Sequence, residues 1–451
     1  MRWRPAELVT PTRFLALINV AGSALAFVRG VVVARALGPE LLGVSAVIAG
    51  VNTTVLNFLD VRLTDLAARL YYQTDGLEAS ALRAFRASVV ALCVLGNGLI
   101  SLLLGALGVL AAWLTVGWFT AAPVQGWWLL AQALVLGAGN LANTLTFLQR
   151  FSGRFYFVGT ARLAIQFCAL AVFLAAFLPA PDLGGYYRGG LASAALALVG
   201  TGALSLYLWV VHDRLPMLSR GLGRAWLHYQ RGARFLFFGN VLGYGKLFHR
   251  AADTLLVGLL ADDRVTGLYK LARQLTDALY VLFDALNQVY QVRFLELLSQ
   301  KDPRSYRRLA TRLLGGSAFL TAGLVVGEAV LLRPALDLVF AGKFAQGEWP
   351  ILLLTLPFVF VAGVHLWLWP FLIHTGQLGR FTAVNLLAVA AQYAVTIGGF
   401  AWLGPNAAVA AAGYLAHYVV LYPIVARLEH RRFSGYMPGL TLAHETRPAD
   451  H

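Results

Sequence analysis

Charge is what this chain has least of. Only 13% of its 451 residues are Asp, Glu, Lys or Arg, where a soluble protein carries about a quarter. A water-soluble globular domain of this length is therefore excluded. Acidic residues are the scarcer sign, 21 against 36 basic ones, and lysine supplies only 4 of the 36. Cysteine is nearly absent: Cys93 and Cys168 both lie in apolar stretches, so no disulfide framework is indicated. No gap between apolar runs is long enough for a soluble domain. The chain also lacks a P-loop and any paired Cys and His at metal-ligand spacing. An ATP-driven pump within this chain is excluded. A glycosyltransferase, polymerase or ligase that works through a sizeable extramembrane loop is not expected, and neither is a metal or an organic cofactor.

What is there is hydrocarbon. The chain is 59% hydrophobic with a mean hydropathy of +0.68, the composition of an integral membrane protein. Twelve spanning segments are read at 14–35, 41–61, 88–111, 127–148, 156–178, 189–211, 235–260, 265–292, 312–332, 349–372, 382–402 and 406–426. Glycine and proline punctuate the turns, as at Gly38-Pro39, Ala122-Pro123, Pro179-Ala180-Pro181 and Gly404-Pro405. No cleavable signal is evident, and the first apolar run is long enough to remain as an anchor. The side of the N-terminus carries 26 Lys and Arg and the opposite side 6, with 4 inside segments seven and eight. Positive residues stay inside, so both termini are expected in the cytoplasm. The basic excess is then a topology signal and an attraction to anionic lipid, not a nucleic-acid footprint.

Segments one and seven look like copies. Residues 13–29 read RFLALINVAGSALAFVR and residues 234–250 read RFLFFGNVLGYGKLFHR, identical at eight of seventeen positions. The identities include an Asn, a Gly and two Arg, which shared apolar composition does not explain. After a three-residue shift, Gly43 aligns with Gly267 and Asp60 with Asp284. Six segments per copy is an even number, so the two copies are parallel repeats about an axis along the membrane normal. The expected organisation is a six-helix bundle over 1–211, a cytoplasmic linker over 212–234, a second bundle over 235–427 and a cytoplasmic tail over 428–451. The expected fold class is thus all-α and polytopic, about twelve transmembrane helices in two six-helix repeats around a central cavity.

Ionisable residues inside such segments are costly and mark pathways. In segment seven, Lys246, Arg250 and Asp253 fall within about 40° of one another on a helical wheel. In segment eight, Lys270, Arg273, Gln274, Asp277, Asp284, Gln288 and Gln291 share a sector of about 100°. Arg29 in segment one and Arg250 lie at matching depth in the outer half. The expected cargo site is therefore a cationic cavity of Arg29, Lys246, Arg250, Lys270 and Arg273, which suits an anion, and the arginine fork suits phosphate. Asp60, Asp253, Asp277 and Asp284 are candidates for coupling to H+ or Na+. Asn19, Asn240, Gln274 and Gln288 would line the cavity. Plainer readings stand beside these. Arg29 and Arg250 would snorkel to outer headgroups, Lys246 with Arg250 and Asp253, or Arg273 with Asp277, would be static ion pairs, and Asp60 would meet cytoplasmic headgroups. Asn19 and Asn240 would be interhelical hydrogen bonds. Trp113, Trp118, Trp127 and Trp128 read as an interfacial belt, and His365 as a core histidine.

Two stretches resemble a known family. Residues 34–60, ARALGPELLGVSAVIAGVNTTVLNFLD, resemble the first hairpin of polysaccharide-biosynthesis membrane proteins. Residues 253–275, DTLLVGLLADDRVTGLYKLARQL, are similar to the segment that opens their second half. The family is that of the Wzx-type oligosaccharide flippases in the multidrug/oligosaccharidyl-lipid/polysaccharide (MOP) exporter superfamily, whose fold is MATE-like. The resemblance covers the whole chain in topology and about 100 residues in motif. It implies movement of an undecaprenyl-pyrophosphate-linked oligosaccharide from the cytoplasmic to the periplasmic leaflet, by alternating access and coupled to an ion gradient. The implied partners are that lipid-linked oligosaccharide, membrane lipids, and polysaccharide polymerase or assembly proteins. A multidrug/cation antiporter of the same superfamily is the alternative, as is a lipid II-type flippase, although peptidoglycan-precursor flippases usually carry two further helices. A major-facilitator transporter is disfavoured because its usual loop motif is missing from VRLTDLAARLYYQ (61–73). A non-transporting scaffold has little use for the polar face of segment eight.

Overall fold

The structure is a computed structural model and describes residues 5–60, 63–72, 79–212, 226, 229–230, 247–249, 252–300, 302–375 and 378–436. Its elements are helical throughout these residues: α1 (Pro5–Leu59), α2 (Leu63–Tyr72), α3 (Ala79–Thr115), α4 (Gly126–Gln149), α5 (Phe155–Phe177), α6 (Leu183–Leu206), α7 (Ala252–Leu260), α8 (Asp263–Ser299), α9 (Pro303–Phe340), α10 (Glu348–Thr355), α11 (Leu366–Thr375), α12 (Leu378–Leu403) and α13 (Ala407–Tyr436). Eight helices among the described residues are long and apolar enough to cross a membrane, and one of them, Leu17–Leu59, holds both segments one and two. α4 covers segment four and the charged α8 covers segment eight. Segment ten is broken into α10, a short turn Phe358–Phe360, a π-helical turn Val361–His365 and α11. Pro357 explains the first break, since it has no N–H to give to the turn before it. This is an all-α, polytopic membrane fold.

By packing the chain divides into two compact units, one of 1–271 with 339–344, the other of 272–338 with 345–451. This division differs in kind from the repeat boundary around 212–234. Residues 213–225 and 231–246, which bear on that boundary, lie outside the described residues.

In the first unit, α1 is two helical arms joined at Gly38. The backbone there has φ 75° and ψ 177°, a region that is essentially glycine-only. Pro39 then starts the second arm, with φ preset and no N–H to leave unsatisfied. The break frees carbonyls at the end of the first arm. Lys343 Nζ donates to two of them, Arg35 O at 2.9 Å and Ala36 O at 3.5 Å, a cation placed at the negative end of a helix.

The second arm of α1 meets the hairpin of α7 and the start of α8 through glycine. A Cβ on Gly43 would land on the Asp263 carbonyl oxygen, and one on Gly267 would land on the Pro39 carbonyl oxygen. The two contacts are mirror copies, each glycine four residues after the carbonyl that meets its partner. Gly258 likewise leaves room for Val47 and for the Phe119 carbonyl. Apolar side chains gain nothing by leaving lipid, so helices in membranes pack by close backbone approach at small residues. The alignment of Gly43 with Gly267, visible in the sequence, is here one physical contact.

Caps set several helix starts. Asp182, after the Pro179–Pro181 turn, accepts from Gly185 N at 2.6 Å and begins α6. Asp302 accepts from Ser305 N at 3.1 Å, and Pro303 takes the first helical position of α9. The Asp302-Pro303 pair therefore builds a helix start.

Alanine at Gly43 or at Gly267 is expected to cost on the order of 1–3 kcal/mol, because the atom in the way is backbone and cannot swing aside. Alanine at Gly105, which has open space around it, should be neutral. Thermal unfolding of the three purified variants checks this. Equal melting temperatures would dismiss the contact as a constraint.

Candidate functional site

The first unit holds a polar seam between α1 and α5. Four contacts run along it at nearly constant spacing: Phe14 on Tyr156 with ring centroids 4.8 Å apart, Asn19 with Arg162, Gly22 against the Gln166 side chain, and Arg29 on Phe173. Residue number rises on both helices together, so the first arm of α1 and α5 run parallel. Arg29 is half-buried, with its Cζ 3.9 Å above the Phe173 ring. Phe173 is in turn stacked on Phe177 at 5.5 Å and meets the edge of Tyr186 at 6.2 Å. Gly190 of α6 lies beside the guanidinium, where a Cβ would stand in ordinary contact, 3.9 Å from Arg29 Nη2. A cation held over a desolvated ring gains on the order of 1–2 kcal/mol and keeps its full charge. Arg29 thus lies between helices, against a ring face.

Arg162 is a residue of this seam that the sequence reading did not single out. The charge count takes it with the cytoplasmic loop, yet it stands two turns into α5 and its Nη1 donates to Asn19 Oδ1 at 3.4 Å. Asn19 therefore does make an interhelical hydrogen bond, and its partner is a cation. Neither Arg29 nor Arg162 meets a carboxylate among the described residues. The available signal was Arg162 itself, a lone arginine inside segment five.

In the α7–α8 hairpin, Asp253 is 4% exposed. Its carboxylate accepts from the Tyr269 hydroxyl at 2.7 Å and from Thr254 N at 2.6 Å, so it ties the two helices together. At the hairpin tip, Thr120 Oγ1 donates to Asp263 at 2.8 Å. Burial raises the Asp263 carboxyl above the ordinary aspartate range, opposed by the Thr120 hydrogen bond and reinforced by the charge of Asp262. Lys270 is half-buried on α8.

In the second unit, Arg273 is 5% exposed and its Cζ lies 4.1 Å above the Tyr414 ring. Tyr414 begins an aromatic ladder up α13: Tyr418 follows at 5.3 Å and Tyr422 at 6.0 Å beyond it. Tyr422 meets His365, which stacks on Trp369 at 5.5 Å. His365 is accordingly a packed histidine within the π-helical turn. Gln274 is half-buried, its Oε1 without a hydrogen-bond partner among the described residues. Asp277 is exposed, and so, in the first unit, is Asp60 at the end of α1. Trp113 and Trp118 are about 70% exposed at the end of α3 and in the turn that follows it.

Lys246, Arg250 and Asn240 lie outside the described residues, as does most of the 234–250 repeat. Asp284 and Gln288 fall within α8, but their side chains are outside the description. One intramembrane carboxylate was not anticipated at all, Glu328 of α9, which hydrogen-bonds Thr355 at 3.0 Å.

No family model and no curated protein matches the sequence. Solved structures do match in fold. The lipid II flippase MurJ in an inward closed conformation aligns with a TM-score of 0.67 at 14% identity, over 94% of this chain and 89% of that one. An inward-facing multidrug resistance MATE transporter of the MOP superfamily aligns with a TM-score of 0.59 at 12% identity, over 95% and 96%. The Vibrio cholerae MATE transporter VcmN in its bent form aligns with a TM-score of 0.54 at 14% identity, over 95% and 100%. The chain shares the fold of these structures. These similar structures are of transporters and a flippase.

Two predictions concern the hairpin. Tyr269→Phe removes the hydroxyl on buried Asp253 and should destabilise by about 1–3 kcal/mol, read as a drop in melting temperature; no drop would remove the tie. Asp263 costs more to ionise when folded than when unfolded, so its penalty is absent below the ordinary aspartate value and grows as pH rises through the raised one. Wild type should therefore gain melting temperature on acidification through that window relative to Asp263→Asn, and parallel profiles would contradict this.

Proposed function

We propose that this chain is a flippase that carries an undecaprenyl-pyrophosphate-linked oligosaccharide from the cytoplasmic to the periplasmic leaflet by alternating access. The observation that carries the reading is charge without counter-charge among the described residues. Arg29 and Arg162 are set within an apolar helix bundle, and their contacts are a ring face and an amide oxygen. Guanidinium groups that are desolvated but not neutralised favour an anionic cargo, and a pyrophosphate offers the oxygens that their fork geometry fits. Arg273, on a ring face in the second unit, is a further candidate for cargo contact, as are Arg250 and Lys246 by their sequence positions in segment seven.

In this reading Asp253, Asp277 or Asp284 couples the cycle to H+ or Na+. The membrane is the bacterial inner membrane with both termini in the cytoplasm, and polysaccharide polymerase or assembly proteins take the product. A MurJ-like fold supports a flippase generally, and MurJ itself is named for lipid II. The second reading is a multidrug or cation antiporter. The buried carboxylate Asp253 favours it, because a cationic cargo needs fixed negative partners.

Proteoliposomes decide between them. With a fluorescent polyprenyl-pyrophosphate oligosaccharide, the wild type should flip the lipid, and Arg29→Ala, Arg162→Ala, Arg250→Ala or Arg273→Ala should each slow flipping roughly tenfold or more, the scale of one lost charge-assisted hydrogen bond. Undiminished flipping by all four variants would sink the phosphate site. Transport of a lipophilic cation, with no flipping of the pyrophosphate lipid, would establish the second reading.

A further inference from the structure

α9 is one of the membrane-crossing helices, Arg304–Phe340, yet it carries Glu328 in the middle of the run GLVVGEAVLL (323–332). Its surroundings are apolar. Glu328 lines a groove of ≈ 450 Å³ whose other walls are side chains of α9 such as Phe319, Leu324, Leu331 and Leu332. One turn away, Leu324 packs on the buried cluster of Tyr280, Phe358 and Ala362. The carboxyl has a single polar neighbour among the described residues, the Thr355 hydroxyl, 3.0 Å from Oε1. Its second oxygen is buried with no partner.

Hydrogen-bond accounting bears on where the proton is. Thr355 is fully buried, and its Oγ1 lies 3.0 Å from Glu328 Oε1 and also 3.0 Å from the Ile351 carbonyl oxygen. A hydroxyl has one hydrogen to donate and two lone pairs to accept with. Within a helix a threonine hydroxyl donates to the carbonyl four residues back. If Glu328 were ionised, two acceptors would share one hydrogen and a bare carboxylate oxygen would sit in hydrocarbon, which costs several kcal/mol. If Glu328 is a carboxylic acid, its O–H donates to Thr355 Oγ1, Thr355 donates to Ile351 O, and both contacts are satisfied.

Among the described residues no charged group pairs with the Glu328 carboxyl. Within that description α9 packs against α8 and the broken segment ten. On α8, Arg273 is seated on Tyr414 and Asp277 is exposed; the Asp284 side chain lies outside the description. On segment ten, Glu348 faces Arg333 of α9 at 3.6 Å and His365 is stacked on Trp369. Asp337, further along α9, is exposed.

We propose that Glu328 is a proton-binding site, occupied in this structure, that fastens α9 to α10 two residues before the break at Pro357. Loss of the proton leaves a carboxylate that apolar surroundings do not tolerate, so release requires α9 and the end of α10 to part and admit water. The helix next to that contact is already interrupted at Pro357 and in the π-helical turn Val361–His365, where the backbone bends at least cost. The ligand is a proton, and the inference holds whatever cargo the chain carries.

Infrared difference spectra of the protein in lipid nanodiscs test it directly. At neutral pH the wild type should show the C=O band of a protonated carboxylic acid, lost in Glu328→Gln, kept in Asp284→Asn and shifted in Thr355→Val. A band unchanged by Glu328→Gln overturns the assignment. Hydrogen exchange tests the coupling: after correction for intrinsic rates, alkaline pH should lower protection of α10 at least severalfold in the wild type and leave Glu328→Gln unchanged, since the amide also donates to Thr355. The same pH response in both proteins, or none in the wild type, overturns the link to the break.

Discussion

The contact between Gly43 and Gly267 is the constraint around which the first unit is arranged. Two helices touch backbone to backbone there, each glycine taking the carbonyl of a residue four places before the other. In lipid there is no solvent to expel from between apolar side chains, so close approach and dispersion hold helices together. That approach sets what happens nearby. It brings the α7–α8 tip to the loop after α3, where Thr120 meets Asp263. It also places Gly258 beside Val47 and the Phe119 carbonyl. The break at Gly38 lets the second arm of α1 start where the crossing needs it, and Lys343 quiets the carbonyls that the break exposes.

Electrostatics inside the apolar helices has a shared feature in the two units. Arg29 lies on Phe173 and Arg273 on Tyr414, each cation attracted by a ring quadrupole. The carboxyls are treated differently. Asp253 is given hydroxyl and amide donors, so it is supported as an anion, whereas Glu328 is given a hydroxyl already committed elsewhere. Two acids within spanning helices are thereby sorted into one that keeps its charge and one that keeps its proton.

How much of this was legible follows from what leaves a pattern. The alignment of Gly43 with Gly267 was visible because a repeat repeats its tight contacts. The turn at Gly38-Pro39 was visible because few residues adopt that backbone. Asp302-Pro303 carried a helix-start signal that the sequence reading left unused. Arg162 was taken with the loop because it lies within two turns of a segment end, where position alone does not separate a flanking cation from an internal one. Glu328 escaped because a search for stripes needs several polar residues at helical spacing. A lone acid makes no stripe.

Composition, periodicity and charge asymmetry were enough for the class: a low-charge chain with repeated apolar runs can satisfy its backbone in lipid only as helices or as a closed barrel, and runs of this length are helical. Sequence also placed the polar residues on faces, because 3.6 residues per turn is a fixed geometry. What sat opposite those faces was decided by tertiary structure alone. That Arg29 meets a phenylalanine, that Asn19 meets Arg162, and that Glu328 meets a threonine whose hydrogen is already spent depend on the rotation and register of one helix against another. Those are set by the sum of many small packing contacts, none of which is written in the periodicity of either helix.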